Sequence, residues 1–231
     1  QSGACPELWN ADRPEPVQAV HRAYLDAGCD VVETNSFGGT RLKLAAFGLE
    51  GRAAELNRQA ARIARAACPS GRYVAGSMGP TGHLPEPYGD TPEDTVLQAY
   101  REQAQALAEG GVDLFAVETM MIPEEAALAV RAAKETGLPV MASMTFQWVR
   151  ERDQDRTMWG TSPRDAATRL VEAGADVVGC NCGDGGPGRV PGILQAMRAA
   201  TPAFLVAYPN AGLPKMVDGR TVYDLAPAAM A

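Results

Sequence analysis

The sequence predicts an α/β protein with a parallel sheet, and more narrowly a (β/α)8 barrel. Three observations carry this: short apolar runs alternate with helical patterns, the runs follow a recurring glycine, and they end in polar residues. Asp26-Ala27-Gly28-Cys29-Asp30 leads into Val31-Val32-Glu33-Thr34-Asn35. Glu109-Gly110-Gly111-Val112-Asp113 leads into Leu114-Phe115-Ala116-Val117-Glu118-Thr119. Glu172-Ala173-Gly174-Ala175-Asp176 leads into Val177-Val178-Gly179-Cys180-Asn181-Cys182. Each reads as a helix end, a glycine stop and a short buried strand. Polar residues at every strand end, rather than at one switch point, favour a barrel over an open doubly wound sheet.

The elements follow in order. A helix over Pro16 to Ala27 precedes the first strand, and a second over Ala53 to Ala67 precedes a strand from Tyr73 to Ser77. Thr91-Pro92-Glu93-Asp94 puts a hydroxyl at N-cap, proline at N1 and a carboxylate at N3. Val96, Leu97, Tyr100, Ala104 and Leu107 then recur at helical spacing up to the Leu114 strand. A helix over Glu124 to Glu135 leads to a strand from Pro139 to Thr145. Ser162-Pro163-Arg164-Asp165 repeats the cap ahead of the Val177 strand, and a helix over Val190 to Ala199 leads to a last strand, Ala203 to Tyr208. Six βα units result, with nothing like a linker between them, so residues 1–231 form one expected domain. Gly79 to Asp90 and Gln147 to Gly160 are too long for plain connectors; over a barrel mouth they read either as lids or as solvated insertions.

Composition narrows the function. The formal charge is -7 and no Lys/Arg run occurs, which argues against a nucleic-acid surface. No apolar run approaches the roughly 20 residues that span a bilayer, so no membrane is expected. Five cysteines without a secretion signal read as reduced thiols in a cytoplasmic protein.

The strand ends offer Glu33-Thr34-Asn35-Ser36, Ser77, Glu118-Thr119, Thr145, Asn181-Cys182 and Asn210. None of the three lysines lies on one of these strands, which removes Schiff-base chemistry. His21 and His83 sit in a helix and a loop, so no base accompanies Cys182 for acyl transfer. A thiolate that ligates a metal remains, and a zinc thiolate site keeps a substrate thiol nucleophilic at neutral pH. Spacing alone leaves a buried structural cysteine open as the alternative. Strand geometry puts Cys180 on the same face as Cys182, as a second ligand or in the layer beneath. Glu118 reads either as a substrate contact or as a carboxylate capping the helix that starts near Pro123. Gly183-Asp184-Gly185-Gly186 allows a further reading, a phosphate-cradling turn in a barrel enzyme.

Gly3-Ala4-Cys5-Pro6-Glu7-Leu8-Trp9-Asn10, Val32-Glu33-Thr34-Asn35-Ser36-Phe37-Gly38-Gly39, Gly76-Ser77-Met78-Gly79-Pro80, Val117-Glu118-Thr119, Gly179-Cys180-Asn181-Cys182 and Tyr208-Pro209-Asn210-Ala211-Gly212 resemble the homocysteine S-methyltransferase family. The resemblance runs the length of the chain and is nearest to the homocysteine-binding module of cobalamin-dependent methionine synthase. It implies a zinc-dependent (β/α)8 barrel that methylates homocysteine to methionine, with Cys182 as one zinc ligand. It also implies that Glu118 holds the amino group of homocysteine, and that Thr34, Asn35, Ser77 and Asn181 line the substrate site.

The resemblance also sets departures. The family's first strand, with an aspartate-glycine motif, and its last, with a Gly-Gly-Cys-Cys-Gly motif, have no counterpart in these 231 residues. The first and last barrel strands and two cysteine ligands are therefore expected to be missing, either because the chain is part of a longer polypeptide or because it is a non-catalytic truncated module. The expected methyl donor is the methylcobalamin/methyltetrahydrofolate system, carried on a cobalamin- or folate-binding module. Betaine or S-methylmethionine is the alternative donor.

Overall fold

The computed structural model describes residues 5–184, 186–212, 215–223, 225–226 and 228. Gly3, Ala4 and Gly185, which belong to two of the motifs above, lie outside the described residues. Among the described residues ten strands and eight α-helices follow one another. Two helices, α1 (Trp9–Asp12) and α2 (Pro14–Asp26), precede β1 (Val31–Glu33). Then come α3 (Arg41–Leu44), α4 (Ala53–Ala67), β2 (Tyr73–Met78), α5 (Glu93–Gly110), β3 (Leu114–Met120), α6 (Pro123–Lys134) and β4 (Val140–Met144). A small hairpin, β5 (Gln147–Val149) and β6 (Gln154–Arg156), precedes α7 (Pro163–Glu172) and β7 (Val177–Asn181). The chain closes with α8 (Val190–Arg198), β8 (Phe204–Tyr208), β9 (Lys215–Val217) and β10 (Arg220–Val222).

The main sheet has the order β1-β2-β3-β4-β7-β8, with every pairing parallel. It curls into part of a barrel. Among the described residues β1 and β8 are its edges, so the first and last of eight strands are not among them. The 147–160 stretch carries structure of its own, because Gln147 to Val149 pairs antiparallel with Gln154 to Arg156 around a turn at Asp153, whose φ is 46°.

The glycine rhythm has a physical basis. Gly111 and Gly174 follow α5 and α7 with φ of 101° and 107°, a conformation costly for any residue with a Cβ. The aspartate after each glycine then pins the neighbouring strand. Asp113 Oδ2 accepts the Val74 N–H at 2.7 Å, and Asp176 Oδ2 accepts the Val140 N–H at 2.8 Å. A repeated glycine-any-aspartate signal therefore sets parallel register at the strand starts.

The core lies between the outer face of the sheet and the helices. Val74, Phe115, Val117, Val140, Val178 and Cys180 from the strands pack on Tyr100, Leu107, Leu128, Leu170 and Met197 from the helices. The inner face is the opposite set of alternating residues, and at the strand starts it is apolar and open: Tyr73 is 53% and Phe204 79% exposed. This places polar chemistry at the strand C-termini and leaves an apolar floor behind it.

Candidate active site

The concave face borders an open hollow of about 1210 Å³. Glu33, Thr34, Asn35, Ser77, Glu118 and Tyr208 line its upper part, while Val17, Val20, His21 and Tyr24 of α2 line one side. Four of the sequence-predicted site residues, Thr34, Asn35, Ser77 and Glu118, therefore meet here. Asn181 and Cys182 do not border this hollow. They border a separate small recess with Phe146, Cys180, Arg189 and Ile193.

Glu118 points inward from β3, and its Oε1 accepts a 2.6 Å bond from the Ser77 hydroxyl. It does not cap α6 (Pro123–Lys134), whose N-cap residue is Ile122 and makes no side-chain cap bond. Burial holds the Glu118 carboxyl above its ordinary range, against the lowering effect of the Ser77 bond. Across the hollow, burial and then the charge of Glu118 push Glu33 up to about 7. Glu33 faces the same space but was not among the residues that the sequence assigned to the site.

Thr119 joins the two halves. It follows Glu118, where the β3–β4 register shifts, and its φ is 58°, a left-handed conformation that is rare for a β-branched residue. Its Oγ1 lies 3.8 Å from Cys182 Sγ. Cys182 is itself left-handed, at φ 54°. Between them sits the Asn181 side chain, only 3% exposed. Its Oδ1 accepts the Thr119 N–H at 2.8 Å and the Ser143 hydroxyl at 2.7 Å. Its Nδ2 donates to Thr119 Oγ1 at 2.7 Å and to Cys182 Sγ at 3.4 Å. Each left-handed residue costs about 1–2 kcal/mol, and four hydrogen bonds of about 1 kcal/mol each are enough to hold both.

This geometry sharpens two expectations. First, Cys180 packs in the layer beneath Cys182, and both border the small recess. The turn to positive φ comes only at Cys182, and Cys180 stays in the helix-side core, where burial pushes its thiol up to about 11. Second, Asn181 and Thr34, both expected to line the substrate site, are also tied into the framework, and Thr34 borders the hollow as well. All four hydrogen-bonding positions of the Asn181 amide are used, and Thr34 Oγ1 takes the Ser77 N–H at 3.0 Å and pairs with Ser36 Oγ at 2.5 Å. Asn35 is partly exposed, and its Nδ2 donates to the Pro6 carbonyl and to Asn10.

The loops above the strand ends are tied to the same region. Asp184 accepts the Trp148 N–H at 2.9 Å, which uses the proposed phosphate turn to hold the hairpin. Arg150 and Arg189 lie over the Trp148 ring, 5.1 and 5.0 Å from its centroid, and Arg189 bonds Asp155 through Nε and Nη2. Tyr88 of the 79–90 loop meets Trp159 edge-on at 5.1 Å, so the two long loops touch. All five cysteines are free thiols. Among the described residues no helix is long and apolar enough to cross a membrane.

A pattern of sequence matches decides the family. The family model described as homocysteine S-methyltransferase matches residues 2–231. The chain belongs to the homocysteine S-methyltransferase family. Within it, the methionine synthase of Mycobacterium tuberculosis (strain ATCC 25618 / H37Rv) is 31% identical over 239 residues, covering 98% of this chain and 20% of that protein. The chain thus spans about a fifth of the length of that curated relative. The homocysteine methyltransferase MmuM from Escherichia coli, in its metallated form, superposes with a TM-score of 0.75 and 26% identity, over 91% of this chain and 78% of that one. Its oxidised form gives 0.73 and 25%, over 91% and 77%. As a member of this family the chain has the fold expected of it, a parallel barrel of which six strands are described.

Zinc has to be tested against the donors present. Among the described residues no group of three His, Cys, Asp or Glu could hold a metal ion. Cys182 offers one sulfur, and Cys180 is packed in the core. The described residues therefore do not make a zinc site by themselves.

Proposed function

We propose that this chain is the homocysteine-binding part of an enzyme that transfers a methyl group to the homocysteine thiol, forming methionine. The observation that carries the reading is the adjacency of Glu118 and Thr119. One residue presents a carboxylate to the hollow, and the next touches Cys182 Sγ. Glu118, oriented by Ser77, would hold the substrate ammonium, with Asn35 beside it on the same wall. The substrate sulfur would then lie toward Thr119 and Cys182. In the reaction the sulfur forms a bond to the methyl carbon as the carbon–donor bond breaks, and the thiol proton is lost. The chain's own contribution is orientation and exclusion of water, with the touching 79–90 and 147–160 loops as the cover.

Zinc dependence is part of this proposal, with Cys182 as one ligand and the others from outside the described residues. The metallated relative supports it. The donor we favour is the methylcobalamin/methyltetrahydrofolate system on a partner module, supported by the similarity to a methionine synthase five times longer than the matched stretch. The single-domain organisation over residues 1–231 is part of the same reading.

The deciding experiment measures zinc content and methionine formation in the intact gene product with methylcobalamin, betaine and S-methylmethionine in turn. Cys182→Ala is expected to abolish both. Full methionine formation by that variant would remove Cys182 from the reaction, and turnover with betaine alone would replace the cobalamin donor.

A further inference from the structure

The Asn181 amide makes four hydrogen bonds, to two strands and to a sulfur, at the one place where β3 and β7 both leave regular geometry. Its Oδ1 takes the backbone N–H of Thr119 and the hydroxyl of Ser143. Its Nδ2 reaches Thr119 Oγ1 and Cys182 Sγ. Ser143 in turn meets the Tyr208 hydroxyl at 2.8 Å, and Thr145 Oγ1 donates to the Asn181 carbonyl at 3.2 Å. No other described side chain touches both Thr119 and Cys182 through hydrogen bonds.

We propose that Asn181 is a positioning residue, whose side-chain amide locks Thr119 and Cys182 in their left-handed conformations and so holds the Cys182 sulfur against Thr119, the residue next to Glu118. The backbone argument is direct. An ordinary strand conformation at residue 182 restores the two-residue alternation and carries the sulfur away from Thr119 and the Asn181 amide. A left-handed conformation at a residue with a Cβ needs a local partner to hold it, and among the described residues the side-chain nitrogen bonded to the sulfur is Asn181 Nδ2. Gly183 supports the same turn, because a Cβ there would lie 2.5 Å from the Phe146 carbonyl oxygen. The amide thus couples two chain positions 62 residues apart, one next to the Glu118 anchor and one next to the working sulfur. This role rests on the reading of Cys182 as that sulfur.

The test uses the intact protein with Asn181→Ala and Asn181→Asp. The aspartate keeps the acceptor for Thr119 N–H and Ser143 and loses both donors, to Thr119 Oγ1 and to the sulfur. Limiting rates of iodoacetamide alkylation are read peptide by peptide at alkaline pH, where exposed thiols are ionised, with the partly exposed Cys29 and Cys68 as internal references. Cys182 alkylation is expected to fall about tenfold in both variants, the size expected from releasing one strained residue, while Cys29 and Cys68 stay unchanged. With homocysteine, kcat is expected to fall by a similar factor and KM to stay nearly constant, because Glu118 is untouched. A wild-type Cys182 rate in folded Asn181→Asp overturns the proposal, whether or not Asn181→Ala folds. A parallel loss in all three thiols would mean general loosening and overturns it equally. The alkylation readout needs no turnover, so a wild-type protein that forms no methionine would sink the methyl-transfer reading while leaving this result to stand or fall separately.

Discussion

At the residue scale the site is a set of inward side chains whose partners decide their roles. Glu118 and Asn181 are both strand-end polar residues, yet one is spent on a single bond from Ser77 and the other on four internal bonds. Only Glu118 keeps free capacity for a ligand. Replacing it by glutamine removes a charged hydrogen bond worth about 1.5–3 kcal/mol, so KM for homocysteine should rise about 10- to 100-fold with a smaller change in kcat. Steady-state kinetics check this, and an unchanged KM would release Glu118 from substrate binding. The motif positions of Glu118 and Cys182 were legible in the sequence. The roles of Thr119 and Glu33 were not: a positive φ at a threonine, and a carboxylate facing another across a curved sheet, leave no mark in residue order.

At the element scale the chain follows its sequence signals closely, and the departures have local causes. Helix α7 begins where Ser162 accepts the Asp165 N–H at 3.1 Å, as the cap pattern implies. The first helix pattern begins two residues early because Pro14 can occupy the first turn. The hairpin at 147–156 escaped notice because its strands are three residues long, too short for a period to show. Gly179 is a case where packing between elements dictates a residue. A Cβ there would lie 1.8 Å from the Val206 carbonyl oxygen on the adjacent strand. Gly179→Ala must therefore push β7 and β8 apart, and the expected loss is about 3 kcal/mol or more, at the upper end of overpacking costs. Urea denaturation measures it, and a variant within about 0.5 kcal/mol of wild type would show that the strands yield freely.

At the scale of the whole molecule, stability should carry the signature of its two inward carboxylates. Glu33 has an ordinary value of 4.5 and a folded one of about 7, and Glu118 is raised in the same direction. Between those values the native state holds more protons than the unfolded one, so unfolding free energy falls as pH rises. The cost is absent below the unfolded value and fully present above the folded one. Glu33→Gln should therefore flatten the decline in melting temperature between about pH 4.5 and 7 and stabilise the protein above it. A parallel decline in both proteins would remove Glu33 as its source.

The sequence by itself determined the α/β class, the six parallel strands, the glycine-aspartate starts and the motif residues Glu118 and Cys182. All of these are local or periodic properties, written in propensity, capping and spacing. Tertiary structure alone decided which strand-end residues face the hollow and which serve the frame. It set Thr119 and Cys182 in left-handed conformations, and it brought Thr119 and Asn181 together across 62 positions of chain. Those outcomes depend on sheet curvature, strand register and a buried amide with every bond filled, and no linear pattern encodes them.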